Sequence, residues 1–162
     1  MNQFRTPSAS PDAVRVAIVA ASWHRDIVAC ATTAARAELV RQGVPDGHID
    51  LIEVPGAFEI PLHAQRIAQA GEHDAVIACG LVVDGGIYRH DFVATAVIDG
   101  LMRVQLDTGV PVFSAVLTPH QFHEHAVHQQ FFREHFVVKG TEVAQACLAT
   151  LASLRDLAPL VD

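Results

Sequence analysis

Apolar residues fall along the chain in two alternating patterns. Almost unbroken apolar runs occur at Val14 to Ala21 and Ala75 to Val83, and His48 to Val54 and Pro111 to Leu117 also read as strands. The stretches are seven to nine positions long, and the unbroken ones have the pattern of strands buried on both faces. Between them the apolar positions recur at helical spacing. Ile27, Cys30, Ala34, Ala37 and Val40 mark a helix from Asp26 to Gln42, with Gly43 placed to end it. A second helix begins near Glu59, tolerates Pro61 in its first turn and stops near Gly71. A third runs from Asp91 to Thr108, with Val93, Val97, Leu101 and Val104 on one face. After the fourth strand the pattern predicts a histidine-rich helix over residues 121–131 and a separate final helix over 139–156.

Strand and helix alternate four times, which implies a parallel sheet covered on both faces. Right-handed crossovers leave few topologies. The expected fold is α/β: a flavodoxin-like three-layer α/β/α sandwich on a four-stranded parallel sheet, in the order 2-1-3-4. Residues 1–13 read as a flexible tail and residues 14–158 as one domain. With no second domain to close over a ligand, a site must use the carboxyl edge of the sheet or a cleft completed by a neighbouring subunit.

Composition sharpens this picture. The 162 residues are 51% hydrophobic and only 18% charged, against about 25% charged in an ordinary globular chain. So sparse a surface charge points to a homo-oligomer. The formal net charge of -7 argues against a nucleic-acid partner, which would need a basic face. The cations are ten arginines and one lysine, Lys139, accompanied by ten histidines. Near pH 6 ordinary histidines would add about seven to eight positive charges, so the charge is set by imidazoles. No apolar run is long enough for a membrane span. The three cysteines, Cys30, Cys79 and Cys147, form no CxxC pair and no even set, which suits a reducing cytoplasm.

The unusual residues gather after the strands, where open α/β sheets bind ligands. Ser22-Trp23-His24 follows the first strand, and Val54 to Pro61 reads VPGAFEIP after the second. Asp84-Gly85-Gly86-Ile87-Tyr88-Arg89-His90-Asp91 follows the third, and Ser114 lies in the fourth. Gly85-Gly86 before a helix is either a phosphate cradle with Arg89 beside it or simply a tight turn. Trp23 either stacks on a planar heterocycle or belongs to the core. Glu59 either receives hydroxyl hydrogen bonds or serves as an acid at a helix start. His120 with His123, and His125 with His128, have i,i+3 spacing. Lacking nearby cysteine or an HExxH pattern, they predict no metal site, and a solvated helix face with one or two functional histidines is the better reading.

VPGAFEIP at Val54 to Pro61, GLVVDGGIYRHDFV at Gly80 to Val93, the run at Val110 to Val112 and Lys139-Gly140 occur in an order and spacing that resembles the lumazine synthases. The resemblance covers about residues 14–154 and implies the flavodoxin-like fold. It also implies condensation of 5-amino-6-(D-ribitylamino)uracil with 3,4-dihydroxy-2-butanone 4-phosphate to 6,7-dimethyl-8-ribityllumazine. No cofactor and no metal are implied, and the partners are the two small-molecule substrates, with active sites between the subunits of pentamers.

Carried over by position, the resemblance puts Trp23 on the pyrimidine ring. Ala57, Phe58 and Glu59 hold the ribityl chain and ring, and Leu81, Val82 and Val83 face the pyrimidine. Gly86 and Ile87 cradle the phosphate, and Lys139 lies near the bound intermediate. Three positions depart from the family pattern. Arg89 stands at the catalytic-histidine position with His90 one residue later, His128 stands at the phosphate-binding arginine, and Ser114, preceded by Phe113, at the phenylalanine offered by a neighbour. The departures resemble the divergent second type of lumazine synthase, assembled as decamers of two pentamers. They also leave open a weakly catalytic flavin- or lumazine-binding module on the same scaffold. The resemblance makes His90 and Arg89 the catalytic candidates, His90 to move protons and Arg89 to assist phosphate departure.

Overall fold

The computed structural model describes residues 10–84, 89–119 and 126–160. Four parallel strands, β1 (Val16–Ala21), β2 (Ile49–Val54), β3 (Ala75–Leu81) and β4 (Val112–Leu117), form one sheet in the order β2-β1-β3-β4. The register pairs Val16 with Ile49 on one side and Ala75 on the other, and Val76 with Val112. Four helices follow the strands in turn: α1 (Arg25–Arg41), α2 (Ile60–Ala70), α3 (His90–Thr108) and α4 (Ala126–Leu157). This is the expected α/β/α sandwich and strand order.

The two central strands explain their unbroken apolar runs. Every residue of β1 and β3 is buried, because helices cover both faces. Val16, Ile18 and Ala20 point into a core with Ile27, Leu39, Phe136 and Cys147 from α1 and α4. Val19 and Ala21 point the other way, into a core with Ile60, Ala64, Val97 and Leu101 from α2 and α3. The edge strands β2 and β4 are only partly buried, since one side of each is open.

Several boundaries differ from the sequence reading by one or two residues: β2 starts after a 3-10 turn at Asp46–His48, β3 stops at Leu81 short of Val83, and β4 starts at Val112. Val14 is buried but lies before β1, because its N–H closes a 3-10 turn over Pro11–Ala13 by donating to the Pro11 carbonyl. The remainder of the expected tail, residues 1–9, lies outside the described residues. The larger correction concerns the end of the chain, where two expected helices are one continuous helix, α4. Nothing between residues 131 and 139 breaks it, and Phe132 and Phe136, four apart, anchor it to the core. Gly140 is therefore not a helix boundary. It is the point where α4 meets α1, and a Cβ there would lie 2.2 Å from the Ala31 carbonyl oxygen. The expected start of the histidine-rich helix, at residues 121–125, lies outside the described residues.

Charged residues brace the ends of this packing. At the carboxyl edge Arg133 of α4 pairs with Asp26 of α1. At the opposite end Glu38 of α1 accepts hydrogen bonds from Arg41 Nε and Nη2 at 2.7 Å, Gln42 Nε2 at 2.7 Å and Gln145 Nε2 at 3.1 Å. Cys79 and Cys147 are buried, and burial pushes both thiols up to about 12, with Asp74 adding to the rise at Cys147. Cys30 is half-buried on α1.

Candidate active site

The carboxyl ends of β1 and β2 are tied together by backbone bonds. Ser22 N–H donates to the Val54 carbonyl at 2.8 Å and Trp23 N–H to that of Pro55 at 3.2 Å, so the two loops are held against each other. His24 then turns the chain into α1 with φ 56°, the only non-glycine residue in the left-handed region among the described residues. This bend leaves Trp23 outside the core and 68% exposed. One edge of its indole rests on Gly56, where an added Cβ would approach Cε3 and Cζ3 to 2.9 Å. Of the two readings of Trp23, the core reading is excluded, and an exposed aromatic face braced from below is what stacking requires.

Glu59 occupies the helix-start position of its second reading. It ends the 3-10 turn Ala57–Glu59 ahead of α2, and its Oε2 accepts the Gly56 N–H at 2.9 Å. One carboxylate oxygen thus holds the VPGAFEIP turn in shape. The Glu59 carbonyl accepts from His63 Nδ1 at 2.8 Å. Ala57 is buried, and a Cβ at Gly80 of β3 would sit 3.5 Å from its own, so the turn packs directly on the end of β3. Phe58 projects outward, 63% exposed.

Beyond β3 the chain offers a different surface. Leu81 and Val82 are core residues, Leu81 on the α1 and α4 side and Val82 on the α2 and α3 side. Val82 N–H donates to the Leu117 carbonyl at 2.9 Å, and Val83 is half-buried. These three positions therefore form the wall and floor of the edge. Asp84 follows, exposed, and its Oδ1 accepts the His90 backbone N–H at 2.8 Å and lies 2.7 Å from His90 Nδ1. The His90 N–H and then its ring hold the Asp84 carboxyl below the usual carboxylate range. Arg89 points elsewhere. Its Nη2 donates to Asp91 Oδ2 at 2.9 Å, and its guanidinium lies 4.9 Å from the centre of the Phe92 ring, in cation–π contact. Gly86 and Ile87, the expected phosphate cradle, lie outside the described residues.

Ser114 lies on β4, and His128 and Lys139 lie on α4. Ser114 is exposed on the edge strand β4, and its Oγ accepts the Val116 N–H at 3.2 Å. Phe113 turns to the opposite face, half-buried against the core of α1 and α4. His128 stands against the edge of the Phe132 ring, and Lys139 Nζ donates to Glu142 Oε2 at 2.7 Å. Because α4 is continuous, His128 and Lys139 share nearly one helix face and stand about 16 Å apart along its axis. A single ligand touching both would have to be extended.

One chain therefore brings Trp23, Ala57, Phe58, Glu59 and His90 to one sheet edge, and places Ser114 on the α2 and α3 side of the edge strand β4 and His128 and Lys139 on α4 in the opposite layer. The sequence reading missed Asp84, which it placed only in a glycine turn. An acid six residues ahead of a histidine, across a Gly-Gly turn, was the available signal. Among the described residues no three or more histidine, cysteine, aspartate or glutamate side chains are grouped to hold a metal ion. No helix among them is long and apolar enough to cross a membrane.

Comparison with known proteins places the chain in one family. The family model for 6,7-dimethyl-8-ribityllumazine synthase matches residues 13–155. A 6,7-dimethyl-8-ribityllumazine synthase of Rhodococcus erythropolis is 62% identical over 143 residues, covering 88% of this chain and 92% of its own. Proteins named 6,7-dimethyl-8-ribityllumazine synthase 2 are similar as well. The one from Bradyrhizobium diazoefficiens is 59% identical, covering 88% of this chain and 86% of its own. The one from Pseudomonas syringae pv. tomato is 52% identical, covering 88% and 84%.

Proposed function

The chain belongs to the 6,7-dimethyl-8-ribityllumazine synthase family, and from that premise we propose how its own residues carry the reaction. The protein is a transferase of riboflavin biosynthesis. It joins 5-amino-6-(D-ribitylamino)uracil to 3,4-dihydroxy-2-butanone 4-phosphate, releasing phosphate and water. The observation that carries this reading is the pairing of an exposed, braced indole with a histidine start to α3 on one sheet edge.

The substrates bring their own nucleophile and leaving group. The ring amine attacks the ketone, phosphate leaves, and the ring closes with loss of water. The protein gains rate by holding the two together and by moving protons near neutral pH, which imidazole does well. Trp23 stacks on the pyrimidine. Ala57 and Phe58 shape the slot, and Glu59 meets ribityl hydroxyls with what its turn-holding bond leaves available. Leu81, Val82 and Val83 close the wall. His90 moves the proton. Arg89, always protonated and held by Asp91 and Phe92, is a poor base and acts as a cation near the departing phosphate. Gly86 and Ile87 supply backbone N–H groups to that phosphate.

The remaining positions come from a neighbouring copy. Ser114 on β4 and His128 and Lys139 on α4 would be offered to the edge of the next subunit, with His128 on phosphate and Lys139 near the intermediate. Ile98, Met102 and Leu106 form an exposed apolar stripe on α3 at i, i+4 and i+8, which supports assembly into pentamers and a decamer of two. The three free thiols suit the cytoplasm.

Turnover from the two substrates, followed by the absorbance of the lumazine product, tests the reading. Brisk formation is expected. A protein that purifies with bound flavin or lumazine and forms no product would instead be a binding module, the alternative favoured by the displaced histidine.

A further inference from the structure

The contact between Asp84 and His90 has more in it than a loop closure. His90 is the first residue of α3, and Arg89 before it offers no side-chain cap. Asp84, from beyond the end of β3, takes the backbone N–H of His90 on the same oxygen that meets the ring. Two bonds to one oxygen fix both where the helix starts and how the ring is turned. An ionised carboxylate can only accept, so the ring nitrogen 2.7 Å from it must carry the proton.

We propose that Asp84 is the positioning residue for His90: its carboxylate holds the imidazole in the Nδ1–H form and leaves Nε2 as the nitrogen that exchanges the proton in the reaction. This rests on the reading of His90 as the proton-moving group. The logic is that of an acid that orients a catalytic imidazole without itself changing protonation. Arg89 does not compete for Asp84, because its guanidinium is committed to Asp91 and Phe92. A plain helix cap would need only the backbone bond and would have no consequence for the ring.

The test uses the full assembled protein with ring-nitrogen-labelled histidine, read by solid-state nitrogen NMR at a pH where the imidazoles are neutral, with H90Q assigning the signal. Wild-type His90 is expected to show a protonated Nδ1 and a bare Nε2. Asp84→Ala should lose that preference and lower kcat by at least about tenfold, with KM for each substrate within about threefold. Asp84→Asn keeps an oxygen that can accept both bonds. It should keep the Nδ1–H form and recover most of the loss in kcat.

A wild-type ring protonated at Nε2 overturns the proposal. So does Asp84→Ala with tautomer and kcat unchanged, or Asp84→Asn with the tautomer intact but the rate as low as in the alanine variant. Should the alanine variant fail to fold, the wild-type ring and the asparagine variant still decide. Undiminished turnover in H90Q would remove His90 from the reaction and defeat the functional reading, whatever the tautomer measurement gives.

Discussion

The indole of Trp23 lies so close over Gly56 that a methyl group on the glycine would come within 2.9 Å of two ring carbons. The Gly56 backbone, at φ -137° and ψ 178°, is one that alanine adopts freely, so G56A acts by volume alone. The indole must tip away from its support. Tipping forfeits an aromatic stack worth about 0.5–1.5 kcal/mol, so KM for the pyrimidine substrate should rise roughly 2- to 12-fold. Steady-state kinetics beside an unchanged circular dichroism spectrum checks this. An unaltered KM would remove Trp23 from the site.

Phosphate recognition should depend on the side chain at position 128. His128 stands where the family pattern has a permanently charged arginine. H128Q should therefore raise KM for the dihydroxybutanone phosphate and H128R should lower it, with KM for the pyrimidine substrate within about twofold of the wild type. Steady-state kinetics with each substrate checks this. A phosphate-substrate KM unchanged in H128Q contradicts the role of His128.

Glu38 makes the base of α1 sensitive to acid. Arg41, with Gln42 and Gln145 after it, lowers this carboxyl from its ordinary 4.5 to about 2. A folded-state value below the unfolded one adds stability that is complete above about 4.5 and is lost as pH falls toward about 2. E38Q should be less stable than the wild type at pH 7, with the difference shrinking steadily below about pH 4.5. Urea unfolding of both proteins at pH 7, 5 and 3 measures it. A difference independent of pH would show that only packing was lost.

Gly140 admits no side chain where α4 crosses α1, with the Ala31 carbonyl oxygen 2.2 Å from any Cβ. The obstacle is backbone and cannot rotate aside. G140A should cost about 2–3 kcal/mol through forced separation of the helices. The corresponding fall in Tm is roughly 4–12 °C in a chain of this size. Thermal unfolding gives the answer directly, and a Tm within a degree of the wild type would refute the close crossing.

The apolar stripe on α3 makes a prediction about mass. A charge at Met102, between Ile98 and Leu106, would be buried unpaired in any interface formed there. M102E should release smaller species in light scattering and lose activity in parallel, since the site draws on two subunits. Assembly unchanged by M102E would place the interface elsewhere.

The sheet order and the buried central strands could be read from the sequence because burial on both faces writes itself as continuous apolar runs in β1 and β3. The extent of α4 could not, because Gly140 carries the same letter whether it ends a helix or lets another backbone approach. Trp23 shows the limit at the site. Its position beside a strand end was legible, but its exposure depends on the left-handed turn at His24, which no propensity announces. Asp84 was hidden for a related reason: its partner, His90, is six residues away, a contact that follows neither a helical nor a strand period.

Burial of two of the three cysteines has a practical outcome. Cys79 and Cys147 are buried, and burial pushes both thiols up to about 12, so neither offers a thiolate to an alkylating reagent near neutral pH. Thiol chemistry on the native chain thus has a single address, Cys30, on the outer part of α1. A maleimide dye added to the unmodified protein would mark one defined point per subunit, and the distances between such dyes would count the subunits without a designed mutation.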